Sequence, residues 1–150
     1  MPRSDDIIKV FIENVSGSST KNTFDEQTLK HLGSQQVASP YPYPYGFALN
    51  TLGGDGDCVD CFVVTDKALK SGDIVDFVPL HLLEQIEDGE VDHKVLGVLA
   101  ETPNVIDELA LETIRAFIMS VFSDLPGKQM QLGTLHGAPE ALQYIRECRV

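Results

Sequence analysis

Three aspartates, Asp55, Asp57 and Asp60, stand within six residues of one another and are interleaved with Gly53, Gly54 and Gly56. Carboxylates this close repel: at an effective dielectric of ~20, a pair ~5 Å apart costs roughly 3 kcal/mol. A divalent cation relieves that repulsion, and an oxygen-only ligand set suits a hard ion, Mg²⁺ or Mn²⁺ before Zn²⁺. Gly-Asp-Gly-Asp equally suits a solvated acidic turn, so spacing alone leaves both readings open. An EF-hand is excluded: a loop begun at Asp55 has Asp60 where the turn glycine belongs and Asp66 where the bidentate glutamate belongs. A second acidic run, Glu87-Asp-Gly-Glu-Val-Asp-His-Lys94, reads as a hairpin. Ahead of the aspartates lies Tyr41-Pro-Tyr-Pro-Tyr-Gly-Phe47, where two prolines hold the chain extended between three tyrosines.

Taken in order, Tyr41 to Phe47 and then Asp55-Gly-Asp-Cys-Val-Asp60 resemble the signature of the soluble family I inorganic pyrophosphatases. That resemblance implies Mg²⁺-dependent hydrolysis of pyrophosphate to two phosphates, with Mn²⁺ a possible substitute. It implies Asp55, Asp60 and Asp92 as metal ligands, Asp60 bridging two ions, with Glu13 and Glu87 holding further Mg²⁺ that arrives with substrate. Asp57 would take the proton of the attacking water. Lys21, Lys94, Tyr41 and Tyr45 would contact phosphate or orient the carboxylates. Asp92-x-Lys94 fits the family hairpin residue for residue, whereas Glu87 replaces an aspartate. The resemblance also implies a compact homo-oligomer, commonly a hexamer.

Other positions depart from the pattern. Thr23 replaces a glutamate, Gly33 an arginine, and Phe122 and Ser123 a tyrosine-lysine pair directed at phosphate. Lys21, Lys30 and Lys128 are the candidate compensating cations. Two rivals therefore stand beside the first reading: a hydrolase of another phosphoanhydride, and a Mg²⁺-binding pseudoenzyme.

The totals are compatible with all three. A chain of 150 residues predicts one domain, 1–150, burying roughly 68–70% of its unfolded surface. A formal net charge of −12 disfavours nucleic acid and repels an anionic substrate unless cations reverse the local field. No apolar run approaches the ~20 residues that span a bilayer, and Met-Pro-Arg-Ser-Asp-Asp is no secretion signal, so a cytoplasmic protein without membrane partners is expected. Three cysteines make no disulfide framework. Cys58-x-x-Cys61 lacks the two further ligands a zinc site needs, and buried thiols are expected.

The elements that must position these side chains can be read from periodicity. Strands are expected at Ile7 to Glu13, Gly46 to Leu49, Val59 to Val64, Ile74 to Pro79, His81 to Ile86 and Val95 to Leu99, with a short one at Met130 to Thr134. His93 is expected at the surface. A helix is expected from a Thr102 cap and Pro103, with an apolar stripe of Ile106, Leu109, Ala110, Ile114, Phe117, Ile118 and Val121, stopping at Pro126-Gly127. A closing helix, Pro139 to Cys148, should turn Leu142, Ile145 and Cys148 inward. Strands first and helices last predict an α+β fold: a small five- to six-stranded, mixed or antiparallel, OB-like barrel packed by two C-terminal helices.

Overall fold

The computed structural model of the chain describes residues 6–37, 39–123, 127 and 129–150, without the side chains of Phe122 and Ser123. The elements are β1 (Ile8–Asn14), β2 (Thr20–Phe24), β3 (His31–Gln36), β4 (Tyr45–Ala48), β5 (Asp60–Val63), β6 (Ile74–Glu87), β7 (Glu90–Val91), β8 (Lys94–Leu99), α1 (Glu108–Ser123), β9 (Met130–His136) and α2 (Ala138–Cys148). Strands β1, β4, β5, β8 and β6 pair in that order, and β6 closes back on β1 to make a five-stranded barrel. Only β5 and β8 are parallel, which makes the barrel mixed. Closure removes the open edges that a free sheet would present. Gly46 sits where β1 and β4 come closest: a Cβ there would lie 1.8 Å from the Phe11 carbonyl oxygen, so no side chain fits.

Two cores follow from strand alternation. Val10, Ile12, Cys61, Val63, Phe77, Val95 and Leu99 fill one side, closed by Ala141, Ile145 and Cys148 of α2. Phe62, Val78, Leu83, Leu96 and Val98 pack on the other side beneath Ile106, Ala110, Leu111, Ile114 and Ile118.

Several expectations are corrected. The two strands expected at 74–79 and 81–86 are one strand, β6, with a register shift between Pro79 and His81 that accommodates the missing Pro79 donor. The first helix begins at Glu108, because Asp107 Oδ1 accepts the Ala110 N–H at 2.9 Å, while Thr102 Oγ1 donates back to the Leu99 carbonyl. Its buried stripe takes Leu111 rather than Leu109, which is 72% exposed. In α2 the inward face is Ala141, Ile145 and Cys148, with Leu142 half-buried. The Pro126 part of the expected stop signal lies outside the described residues. The hairpin β2–β3 is an addition, paired from Thr20↔Gln36 to Phe24↔His31.

One buried residue is at odds with its surroundings. Gln85 has no exposed surface, and among the described residues neither of its side-chain amide atoms has a hydrogen-bond partner. An unmet buried polar group costs ~1–3 kcal/mol. Gln85→Met, close in volume, is expected to stabilise the protein by about 1–3 kcal/mol in urea unfolding. A loss of stability instead would mean the amide holds a bound water or partner.

Candidate active site

The acidic loop between β4 and β5 is built by its own backbone. Gly53 N–H donates to the Asp57 carbonyl at 2.7 Å, and Asp57 N–H donates to Asp55 Oδ1 at 3.1 Å. Gly54 lets this loop abut β7: a Cβ there would stand 3.1 Å from Val91 Cβ. That approach brings two distant acidic runs together. Asp55, Asp57, Glu87, Asp88, Glu90 and Asp92 line one cavity of about 200 Å³. Asp88 and Glu90 were not legible as part of it, because Glu-Asp-Gly-Glu reads as an exposed turn until the fold places the loop opposite.

Beside the cavity the strands carry a buried group. Lys94, 5% exposed, donates to Asp60 Oδ2 at 2.6 Å and Asp92 Oδ2 at 3.0 Å. Parallel pairing explains the first contact, since Asp60 and Lys94 are direct register partners. The Lys94 ammonium also lies 5.8 Å from the Tyr45 ring centroid, and Tyr45 packs on Tyr41, which in turn packs on Phe117 of α1. Glu13 falls at a register shift between Ile12 and Asn14 in the β1–β4 ladder. A bulge leaves one residue unpaired and re-aims it; here it turns Glu13 towards the field of Asp60.

The electrostatics follow from too few cations. Burial, then Asp60 and Glu26, push the Glu13 carboxyl up to about 8. Burial also pushes Asp92 up to about 8, with Asp60 opposing Lys94. Lys94 itself is held above its ordinary value by Asp60 and Asp92 against the cost of burial. The two directions are compatible because one ammonium is shared by two carboxylates and fully compensates only one. Asp57 is raised by partial burial and then by Asp55 and Asp60. Tyr41 and Tyr45 hydroxyls stay neutral, raised chiefly by burial.

The expected residues thus fall into two adjoining sets. Asp55, Asp57, Glu87 and Asp92 line the cavity; Asp60, Lys94, Tyr45, Tyr41 and Glu13 form the buried set, joined to the first through Asp92. Lys94 and Tyr41 are buried: Lys94 donates to Asp60 and Asp92, and Tyr41 packs on Tyr45 and Phe117. Lys21 is exposed on β2 and acts electrostatically on Glu13. Thr23 and Gly33 prove to be cross-strand partners in β2–β3. Lys30 is exposed in the connecting turn beside Asp25, and Lys128 lies outside the described residues.

Glu26 was missed. Its Oε1 accepts the Cys58 N–H at 3.0 Å, and burial, Asp57 and Asp60 bear on its titration. Its sequence signal is weak, a lone glutamate in a polar stretch three residues after Thr23. His93 is not a surface histidine: it is half-buried, accepts the Gln85 N–H at Nδ1 and packs on Tyr144. Cys61 and Cys148 are buried and Cys58 half-buried, all as free thiols.

Among the described residues no three carboxylate, imidazole or thiol groups already stand at ligand spacing around one point. The donor chemistry nevertheless fits a hard cation: six carboxylates face one cavity, and the adjoining buried set contains one ammonium. A consequence concerns pH. Glu13 and Asp92 titrate higher when folded than the ordinary carboxylate range near ~4. Their neutral forms favour folding, so stability is full below that range and is lost as pH rises through about 8. Metal-free protein is therefore expected to melt at a lower temperature at pH 8.5 than at pH 5.5, with Mg²⁺ reversing the loss. A flat profile of melting temperature in chelator would contradict this.

Fold and site together define a class: an OB-like barrel whose outer face carries a carboxylate-lined cavity suited to a divalent cation. The family model described as inorganic pyrophosphatase matches residues 10–150. The inorganic pyrophosphatase of Geobacillus stearothermophilus is 32% identical over 151 residues, covering 95% of this chain and 92% of that protein. That of Halalkalibacterium halodurans is 31% identical, covering 95% and 93%. The solved inorganic pyrophosphatase of Thermus thermophilus superposes with a TM-score of 0.86 at 25% identity, covering 99% of this chain and 92% of the other. The chain belongs to the inorganic pyrophosphatase family.

Proposed function

We propose that this chain hydrolyses inorganic pyrophosphate to two phosphates, using Mg²⁺, with Mn²⁺ as a possible substitute. The observation that carries the reading is the cavity where Asp55, Asp57, Glu87 and Asp92 meet beside the Asp60–Lys94–Asp92 group. Asp55, Asp60 and Asp92 hold the divalent cations, and Glu13 and Glu87 take further ones that enter with substrate. When bound, such ions neutralise phosphate oxygens and make a water more acidic. Asp57, held above its ordinary range by partial burial and then by Asp55 and Asp60, accepts the proton of the attacking water. Lys94 fixes Asp60 and Asp92, Tyr45 and Tyr41 wall the site, and Lys21 offers its charge to phosphate.

Gly33 supplies no cation to the hairpin face beside Lys21, and Phe122 and Ser123 supply neither donor of the tyrosine-lysine pair that the family resemblance implies. Each lost charge-assisted hydrogen bond removes roughly 1.5–3 kcal/mol, so KM is expected to rise more than kcat falls. Phosphate release with Mg²⁺, measured across several phosphoanhydrides, tests the proposal. Turnover of pyrophosphate supports it, preference for another phosphoanhydride redirects it, and metal binding without turnover makes the chain a pseudoenzyme. No helix among the described residues is long and apolar enough to cross a membrane. We further propose one domain over 1–150, a cytoplasmic location, and a homo-oligomer, a hexamer as the family resemblance implies. A monomeric mass by light scattering would overturn the last.

A further inference from the structure

The ladder that β6 makes with β8, and in the same register with β7, is interrupted by one bond next to Asp92. Continuing its register, Leu83↔Lys94, places Gln85 opposite Asp92. In a hydrogen-bonded antiparallel pair the two residues exchange both N–H···O bonds. Here the Asp92 N–H does donate to the Gln85 carbonyl at 2.9 Å. The reciprocal donor, the Gln85 N–H, goes to the His93 imidazole Nδ1, also at 2.9 Å. The ring carries its proton on Nε2 in this arrangement. The ring also packs at a tilt against Tyr144 of α2, with centroids 5.3 Å apart, which holds the imidazole in place.

A fully buried backbone N–H needs a partner, and Gln85 has no exposed surface. Without an acceptor at residue 93, that N–H is either orphaned or recaptured by the Asp92 carbonyl. Recapture would extend the ladder by one bond and turn the Asp92 peptide, moving its carboxylate from Lys94. We infer that His93 is a positioning residue: its Nδ1 takes the Gln85 ladder donor of β6, which releases the backbone at Asp92 and aims that carboxylate at Lys94 and the acidic cavity. The inference rests on the reading of Asp92 as a metal-site carboxylate, and it concerns a histidine that would otherwise be only a packing residue.

The test compares three substitutions in the full-length protein. In His93→Asn the side-chain oxygen can take the place of Nδ1; in His93→Leu no acceptor remains; Asp92→Asn tests the underlying reading. Mg²⁺ affinity is read by calorimetry without substrate, alongside melting temperature and amide exchange at Gln85. Loss of a hydrogen bond that orients a metal ligand typically weakens metal affinity 10- to 100-fold. His93→Leu should therefore lose about tenfold or more in Mg²⁺ affinity and lose protection at Gln85, while His93→Asn stays near the unmodified protein. Equal loss in both variants would assign His93 to packing and overturn the inference, as would unchanged Mg²⁺ affinity in His93→Leu. Should His93→Leu fail to fold, free exchange at Gln85 in the unmodified protein, or tenfold weaker Mg²⁺ binding in His93→Asn, would still overturn it. Unchanged affinity in Asp92→Asn would instead remove the site reading on which it rests.

Discussion

Replacing Asp57 with asparagine is expected to lower kcat on pyrophosphate by a factor of about 10² to 10⁴, the range a positioned general base contributes. Asparagine keeps the shape and the Asp57 backbone turn, since the Gly53 N–H and Asp55 Oδ1 contacts use Asp57 main-chain atoms. Mg²⁺ binding should weaken far less than turnover, because five other carboxylates still line the cavity. The rate of the unmodified enzyme should rise with pH as Asp57 loses its proton, at a pH above the ordinary aspartate range. That limb should vanish in Asp57→Asn. Steady-state kinetics from pH 5 to 9 would check both; a variant with kcat within threefold of the original would show that another group takes the proton.

The second large effect is on stability. Lys94→Met, similar in length but without charge, removes the one ammonium between Asp60 and Asp92. Breaking a buried ion pair by deleting one partner typically costs 3–5 kcal/mol, because the remaining charge is left uncompensated. Two carboxylates are left here, so a loss of about 3–5 kcal/mol is expected in chelator at pH 8. Acid should rescue the variant, because a protonated carboxyl tolerates burial without a partner ammonium. Mg²⁺ should rescue it in part by replacing the missing charge. Urea unfolding at pH 5.5 and 8, with chelator and with Mg²⁺, separates the cases. A loss under about 1 kcal/mol at pH 8 would mean that Asp60 and Asp92 are solvated rather than paired.

The chain between Tyr41 and Asp60 states its chemistry locally, because carboxylate spacing, prolines and turn glycines act over a few residues. The barrel was legible for the same reason: β1, β4, β5 and β8 have apolar residues whose alternation or runs demand a core. The hairpin β2–β3 was not, since Thr20–Phe24 and His31–Gln36 are mostly polar and carry no fully buried residue. The start of α1 depended on whether Asp107 or Thr102 received a free helix N–H; Asp107 accepts it from Ala110, while Thr102 Oγ1 is turned back to the Leu99 carbonyl. What only the tertiary structure decided is how the charges meet. Parallel pairing of β5 with β8 sets Lys94 against Asp60, a bulge turns Glu13 inward, Glu26 crosses to Cys58, and His93 takes a donor from Gln85. Each of these depends on register between segments far apart in the chain, and register is an energy of pairs that no single stretch of sequence contains.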